Sequence, residues 1–246
     1  MIYAMATKEQ LSEETTLSAE MIVSWKRERG VYNFDRLPQK AIIALSREVF
    51  PKRFQLPFKK LKGLGGINFI DGEYLCCSGF GSGAPALITL MEETRALGVT
   101  EFIFIGLCGA LKENIASATA FYVDKAWSAS GISGSYFSNE EIPPFNSAYV
   151  ETFANKLGLN AATCFSTDSP FRETPSLLNQ MRLKGCTLVE MECAAAYAFS
   201  NFYKLKVACM LIVADCLTTV WQPPSDMNRI VSVQKSLINN IIKYSL

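Results

Sequence analysis

Two acidic side chains stand two residues apart in residues 187–196, whose sequence is TLVEMECAAA. The apolar start of this stretch predicts a strand and its alanine-rich end predicts a helix, so Glu190 and Glu192 fall at the junction. A buried carboxylate without a partner costs free energy, and such a pair is therefore either solvated or kept for a ligand. The alternative is that both acids simply favour the N-terminus of the helix, whose dipole attracts negative charge. Residue types and spacing leave both interpretations open.

A third acidic residue, Asp215, follows the apolar residues 206–214, which predict a buried core strand. The side chain at the carboxyl end of such a strand points into the crevice where α/β sheets bind ligands. A carboxyl group in that position can donate a proton to a leaving group. Asp215 is therefore a candidate general acid.

The chain contains no histidine. This excludes catalysis by Ser-His-Asp or Cys-His groups and every histidine-ligated metal site. The eight cysteines lie mostly within apolar runs and form no CxxC pair, so we expect core thiols in a reducing compartment rather than zinc ligands. Acid–base chemistry must then rest on carboxylates, Lys, Tyr or Cys. We expect no metal and no cofactor.

Length and charge limit the class of protein. The chain has 246 residues, of which 49% are hydrophobic, enough for one large α/β domain with a sizeable core. The formal net charge is +1 and there is no basic block, which argues against nucleic acid and membrane surfaces as partners. The N-terminus lacks a signal-peptide pattern, and no apolar run is long enough to cross a bilayer. We expect a cytoplasmic protein.

Apolar runs alternate with helical patterns from Lys40 onward, which predicts a three-layer α/β fold with a central mixed β-sheet flanked by helices. Asp71-Gly72 between two apolar runs predicts a hairpin, and Gly158 predicts the end of a helix. An N-terminal helical arm, residues 1–36, precedes the main domain, residues 37–246. The predicted strands are residues 41–45, 65–70, 74–77, 102–107, 118–123, 161–165, 187–189 and 206–214; the predicted helices include 85–97, 148–157 and 227–244, and residues 127–147 are a predicted loop.

A glycine-rich loop, residues 78–85 with the sequence SGFGSGAP, leads into the helix predicted at 85–97. Pro85 suits the first turn of that helix. Backbone N–H groups in such a loop can approach an anion or a polar ligand closely, although many loops of this kind are only tight turns. Gly81 and Ser82 are the candidate contacts.

The string VEMECAA, together with the glycine-rich loop and Asp215, resembles the nucleoside phosphorylase and nucleosidase superfamily (family-1 purine and uridine phosphorylases and methylthioadenosine-type nucleosidases). The resemblance covers roughly residues 40–246 and implies a phosphorylase/hydrolase-like fold that cleaves the N-glycosidic bond of a nucleoside. It implies that Glu192 accepts hydrogen bonds from ribose hydroxyls, that Met191 packs on the sugar, and that Glu190 and Ser82 lie on the ribose side. Relatives form dimers, trimers or hexamers, so we expect a homo-oligomer, a dimer or a multiple of one.

The resemblance also assigns the base end of the site. Purine-cleaving relatives carry an Asp at the position of Asp215 and uridine-specific ones usually do not, which favours a purine nucleoside. In relatives, an aromatic side chain from the loop at residues 166–173, here STDSPFRE, stacks on the base, and Phe171 is the candidate. A core phenylalanine is the alternative interpretation of Phe171.

The acceptor of the ribosyl group is the open question. Phosphorolytic relatives bind phosphate through an Arg and a Ser or Thr at the turn where this chain has Phe104 and Leu107. Two polar anchors for a dianion are replaced by apolar side chains. This departure favours water over phosphate.

Two neighbouring charges after the first predicted strand keep both acceptors open. Glu48 lies close to where nucleosidases place their water-activating Glu, whereas Arg47 could contact phosphate, with Gly81 and Gly109 as further anion contacts. Each charge could instead be a solvated side chain that opens a helix. Hydrolysis is the favoured prediction, phosphorolysis with inorganic phosphate is the alternative, and a non-catalytic nucleoside-binding regulatory module is a third possibility.

Overall fold

A mixed β-sheet forms the centre of the molecule in the computed structural model, which describes residues 6–50, 60–218 and 220–244. The described strands are β1 (Lys40–Ala44), β2 (Ile67–Asp71), β3 (Tyr74–Ser78), β4 (Glu101–Ala110), β5 (Ala120–Ala129), β6 (Glu141–Ile142), β7 (Asn160–Thr167), β8 (Leu188–Glu190), β9 (Lys206–Leu217) and β10 (Trp221–Gln222). The described helices are α1 (Lys8–Ser12), α2 (Ala19–Glu28), α3 (Ala84–Ala96), α4 (Gly131–Gly134), α5 (Ser147–Leu157), α6 (Pro175–Leu183), α7 (Cys193–Tyr203) and α8 (Met227–Tyr244). None of these helices combines the length and the apolar character that a bilayer span requires.

The sheet joins parallel and antiparallel pairs in the order β10-β9-β5-β7-β8-β4-β1-β3-β2, with β6 beside β5. β1 runs parallel to β3 and β4, whereas β8 runs antiparallel to β4. Because β9 pairs with β4 as well as with β5, the strands β4, β9, β5, β7 and β8 close into a ring. The prediction of a mixed sheet is confirmed.

Helices cover both faces of the sheet because successive side chains of a strand point to opposite faces. On β1, Ala41 and Ile43 pack in one apolar cluster with residues of α3 and α7. Ile42 and Ala44 pack in a second cluster with residues of α5 and α8. All four side chains are fully buried. The three-layer α/β architecture is therefore confirmed, with β1 in its middle layer.

Several local predictions rest on short-range chemistry and are confirmed. The hairpin at Asp71-Gly72 joins β2 to β3, with Asp71 opposite Tyr74. Helix α5 ends at Gly158, which has a left-handed backbone (φ +66°). Helix α8 begins at Met227 and ends at Tyr244, the bounds that its apolar spacing predicts.

Several strands are longer than predicted, and in β5 and β9 pairing with short segments that were not predicted accounts for the extension. β5 continues into the predicted loop of 127–147, where Trp127 lies opposite Glu141 of β6. β9 continues to Leu217, where it pairs with β10. The prediction that Asp215 follows the end of its strand is therefore wrong, since Asp215 lies inside β9.

The described part of the N-terminal arm packs on α3. Val23 of α2 is buried in a small apolar cluster. Lys26 Nζ lies 2.5 Å from Glu93 Oε1, and Arg95 Nη2 lies 2.8 Å from Glu20 Oε1. These contacts hold α2 against α3. The division of the chain at residue 36 stays a prediction.

Candidate active site

Three strands, β4, β8 and β9, line a cavity of about 630 Å³ together with the loops that follow β1, β3 and β7. This volume is within the range of pockets that hold small-molecule ligands. Among the residues predicted to form the site, the lining contains Ser82, Gly109, Phe171, Glu190, Met191, Glu192 and Asp215. The structure therefore brings the Glu-Met-Glu segment and Asp215 to one cavity.

Glu190 ends β8, and both oxygens of its buried carboxylate are engaged by the protein. Oε2 accepts hydrogen bonds from the backbone N–H groups of Glu192 (2.7 Å) and Cys193 (2.8 Å) at the start of α7. Oε1 accepts a hydrogen bond from the Ser166 hydroxyl. Burial raises the pKa of Glu190, and the bonds from Ser166 and the backbone oppose that rise. The contacts of Glu190 therefore match the alternative interpretation, in which an acidic side chain interacts with the N-terminus of the helix.

Glu192 occupies the position before the first turn of α7 and is 3% exposed. Its Oε1 accepts a hydrogen bond of 2.6 Å from the backbone N–H of Gly83, which precedes α3. Burial, followed by the nearby Glu190 charge, raises the pKa of Glu192 to about 7, against the lowering effect of the Gly83 and Met191 backbone groups. Burial therefore favours the protonated form of this carboxyl group.

The glycine-rich loop brings a backbone donor to Glu192 because Gly83 adopts a positive φ of +87°. Met191 reaches over the same loop, with its methyl carbon 3.7 Å from the place where a Cβ of Gly83 would lie. The loop itself rests on Gly66 (φ +82°), where a Cβ would overlap the Ser78 carbonyl oxygen and lie 2.9 Å from the Phe80 nitrogen. Gly66 therefore allows two backbone segments to meet directly beneath the loop.

Substitution of Gly66 by alanine is expected to lower the free energy of unfolding by about 3 kcal/mol, since it adds a left-handed non-glycine residue and a clash with backbone. The matched control is Gly72→Ala, which also has a positive φ (+59°) but nothing within 4 Å of the new Cβ. We expect the control to cost about 1 kcal/mol. Urea unfolding of both variants checks the difference, and equal costs would show that the loop does not need this close approach.

Three predicted site residues, Arg47, Glu48 and Gly81, do not belong to the lining of the cavity. Arg47 and Glu48 are exposed in a 3-10 turn that begins after Ser46, whose hydroxyl accepts the Glu48 N–H. The Arg47 side chain lies against Gly79, so a Cβ there would overlap it. Arg47 and Glu48 thus both lie at the start of a helical turn. Roles for Glu48 and Arg47 in activating water or binding phosphate stay predictions.

Asp215 enters the cavity at an irregularity of β9. The pairing with β4 sets Cys108 opposite Val213 and Gly109 opposite Asp215, so Ala214 is an extra residue on β9. Such a bulge re-aims the side chains beside it. A Cβ at Gly109 would lie 3.1 Å from Asp215 Oδ1, and glycine therefore leaves room for the carboxylate.

Trp221 of β10 holds Asp215 in place. Its indole Nε1–H donates a hydrogen bond of 2.6 Å to Asp215 Oδ2, and the side chain lines the cavity while remaining 59% exposed. Sequence reasoning missed Trp221, because a two-residue strand leaves no periodic pattern. The pairing of Trp221 with Leu217 at the end of β9 brings it to the site.

The loop after β7 forms one side of the cavity mouth. Phe171 lies there in a single 3-10 turn and is 98% exposed, so the alternative of a core phenylalanine is wrong. Two residues later, Glu173 lines the same cavity. Burial, followed by the charge of Asp215, raises the pKa of Glu173 to about 7. Sequence reasoning missed Glu173, although an acid next to the predicted base-stacking residue was visible in the STDSPFRE loop.

The lining of the cavity is acidic. Among the described residues that form it there are four carboxyl groups and no Lys or Arg; the acids are Glu173, Glu190, Glu192 and Asp215. Of the two apolar residues that stand at the turn considered above for phosphate, Leu107 lines the cavity, whereas Phe104 is buried in the core. The cavity therefore offers carboxyl groups, the Ser82 hydroxyl group and apolar surface to a ligand.

One group of possible metal donors occurs among the described residues: Cys164, Glu190 and Cys193, whose donor atoms lie within 4.8 Å of one another. All three side chains are buried. Burial raises the pKa of Cys164 to about 12, and it also raises the pKa of the Cys193 thiol. Glu190 already accepts hydrogen bonds from the protein. Because metals bind thiolates, this burial opposes metal binding at the group.

Comparisons with known proteins found a family model, curated relatives and a solved structure that are similar to this chain. The family model of the phosphorylase superfamily matches residues 41–243. Similar curated proteins include the DeoD-type purine nucleoside phosphorylases of Brevibacillus brevis, 25% identical over 74% of this chain and 78% of the relative, and of Mycoplasma genitalium, 29% identical over 65% and 73%. The AMP nucleosidase of Bacteroides thetaiotaomicron has a similar fold, with a TM-score of 0.68 and 16% identity, and the match covers 92% of this chain and 98% of that one.

Proposed function

Because the chain belongs to the phosphorylase superfamily, we propose that it cleaves the N-glycosidic bond of a purine nucleoside with water as the acceptor. The observation that carries this proposal is one cavity lined by Glu192, Met191 and Asp215. Cleavage of this bond builds positive charge on the ribose and negative charge on the departing base. A carboxylate near the sugar and a carboxyl group near the base match those two demands.

The ribose end is assigned to Glu192 and Met191. A carboxylate can accept hydrogen bonds from two neighbouring hydroxyl groups, and these charge-assisted bonds orient the sugar strongly. The Gly83 N–H fixes Oε1 of Glu192, so the carboxylate is oriented before any ligand binds. Met191 supplies apolar surface in the same lining and suits the face of a ribose ring.

The base end is assigned to the region around Asp215. The side chains of Trp221 and Phe171 lie in the same lining and provide aromatic surface for a purine. Aromatic rings stack well on a base, whatever its hydrogen-bonding edge. Asp215 and its neighbour Glu173 add hydrogen-bonding groups beside that surface, which suits the polar ring nitrogens of a purine.

Water is the proposed acceptor because of the charge of the lining. A phosphate dianion would have to enter a cavity that holds four carboxyl groups and no cationic side chain among the described residues. Like charges at close range in a partly buried site repel strongly. A neutral water molecule meets no such barrier.

Phosphorolysis is the second candidate, and the names of the curated relatives favour it, since they are purine nucleoside phosphorylases. Inorganic phosphate would then need cationic ligands from outside the described lining. Arg47, whose side chain lies against Gly79 of the glycine-rich loop, is one candidate. The two acceptors make opposite predictions about phosphate dependence.

We expect release of free base from adenosine, inosine, guanosine or methylthioadenosine at a rate that does not depend on inorganic phosphate. The measurement is chromatography of the base from a panel of these nucleosides and uridine, with and without phosphate. Uridine is expected to react most slowly because purines suit the base end. The ribose product distinguishes the reactions independently, since hydrolysis yields the free sugar and phosphorolysis yields the sugar phosphate.

Strict dependence on phosphate would replace water by phosphate as the acceptor. Nucleoside binding without any base release would instead indicate a regulatory binding module. The matched control is Glu151→Gln, an exposed carboxylate on α5 that lies outside the cavity lining. It is expected to react like the wild type with every nucleoside.

A further inference from the structure

Glu173 lies at the base end of the cavity, where no catalytic role has yet been assigned to it. Its backbone N–H donates to the Pro170 carbonyl at the end of the 3-10 turn, and the next residue, Thr174, caps helix α6. The residue is thus held between two ordered elements. In the part of the chain that the structure describes, no hydrogen bond or ion pair engages the Glu173 carboxyl group, although it is only partly exposed.

Asp215 differs from Glu173 in this respect. Its Oδ2 accepts the hydrogen bond from the Trp221 indole. An indole N–H can only donate, so this bond occupies Oδ2 and holds the Asp215 side chain in one orientation. The Glu173 carboxyl group has no such bond among the described residues and remains available for proton transfer.

Electrostatics also distinguishes the Glu173 carboxyl group from that of Asp215. Burial and the Asp215 charge raise the pKa of Glu173 to about 7. Two carboxyl groups that share one site cannot easily both be ionised, and one of them then keeps a proton at neutral pH. The other titratable groups in the lining are Glu190 and Glu192 at the β8–α7 junction and the Cys108 thiol of β4, while the adjacent Arg172 lines a different cavity.

We propose that Glu173 carries the proton for the departing purine, with Asp215 beside it in the cavity to orient the base. The inference rests on the proposed glycosidic cleavage. As the bond from the ribose carbon to the purine nitrogen breaks, its electron pair stays with the purine, and the Glu173 O–H proton passes to a purine ring nitrogen. Water adds to the ribose carbon and loses one proton to solvent, and Glu173 takes one proton back from solvent.

The pH dependence of kcat/KM reports this assignment. Glu173 acts in its protonated form, so activity is present below its pKa of about 7 and is lost as the pH rises through that value. Glu192 binds the ribose best as a carboxylate, so activity rises as the pH passes its pKa, also about 7. The wild-type profile is therefore expected to be a narrow bell centred near neutral pH.

The test is Glu173→Gln, which keeps the size and hydrogen-bonding capacity of the side chain but cannot donate a proton in this way. We expect kcat to fall by at least about a hundredfold at pH 7, and we expect the descending limb of the profile to disappear while the ascending limb stays. Glu151→Gln is the control and is expected to keep both limbs. A Glu173→Gln enzyme with the wild-type rate and profile would overturn the proposal while leaving the proposed function intact.

A second measurement does not depend on turnover. In protein labelled with ¹³C at the glutamate carboxyl carbons, one resonance absent from Glu173→Gln should titrate near pH 7, and Asp215→Asn should move that titration to lower pH. A Glu173 resonance that titrates near the ordinary glutamate value of about 4.3 would overturn the proposal. Absence of base release by the wild type would refute the proposed function, and this titration would still decide whether Glu173 holds the proton.

Discussion

Substitution of Asp215 by asparagine is expected to lower kcat for purine nucleoside cleavage by about a hundredfold to ten-thousandfold. The asparagine carbonyl can still accept the Trp221 indole bond, so the geometry of the base end is kept. What disappears is the negative charge, and with it one of the two causes that raise the pKa of Glu173. Glu173 then ionises at lower pH. At neutral pH the base end therefore lacks both the negative charge at residue 215 and the proton on Glu173.

Binding separates this effect from a loss of structure. The Kd of the nucleoside is expected to stay within about tenfold of the wild type, a difference near 1.4 kcal/mol. Asp35→Asn is the matched control, since its exposed side chain lies outside the cavity. Single-turnover kinetics with equilibrium binding decides the matter, and a variant that reacts at the wild-type rate would remove Asp215 from the mechanism.

Substitution of Glu192 by glutamine is the second large effect. We expect kcat/KM to fall about a hundredfold, close to 3 kcal/mol, because a neutral amide cannot replace charge-assisted hydrogen bonds to two ribose hydroxyls. The glutamine oxygen can still accept the Gly83 N–H, so the glycine-rich loop should remain in place. Circular dichroism and the urea midpoint are expected to change little.

A double-mutant cycle with the substrate tests the contact itself. Removal of the 2′-hydroxyl from the nucleoside should slow the wild type strongly but should slow Glu192→Gln much less, since the partner of that hydroxyl is already altered. Glu190→Gln is the informative comparison, because both Glu190 oxygens bond to the protein. We expect Glu190→Gln to lower the free energy of unfolding. We expect it to have less effect on the ratio of the rates for the ribonucleoside and the 2′-deoxyribonucleoside. Equal slowing of the wild type and Glu192→Gln by the deoxy substrate would place the ribose elsewhere.

Short-range patterns predicted much of the fold. The hairpin at Asp71-Gly72 and the end of α5 at Gly158 depend on turn and cap chemistry that is local to those residues. The junction around Glu192 also follows from an apolar run that meets an alanine-rich helix. In each case the residues that decide the structure are neighbours in the sequence.

The parts that sequence reasoning missed depend on distant partners. Asp215 lies inside β9 because β4 and β10 extend that strand, and a one-residue bulge re-aims it. Trp221 and Glu173 stand in short segments without periodicity, so only the folded chain brings them to Asp215. Phe171 shows the same limit, since its residue type gave no sign of its exposure at the cavity mouth.

The central claim is that one nucleoside spans this cavity, with its ribose at Glu192 and its base at Asp215 and Glu173. A crystal structure of the slow Asp215→Asn variant with a bound purine nucleoside tests it most directly. We predict ribose hydroxyls within hydrogen-bond distance of the Glu192 carboxylate and a purine ring nitrogen facing residues 173 and 215. A nucleoside bound outside this cavity, or one that lies in it with the base at Glu192 and the sugar at residue 215, would contradict the account.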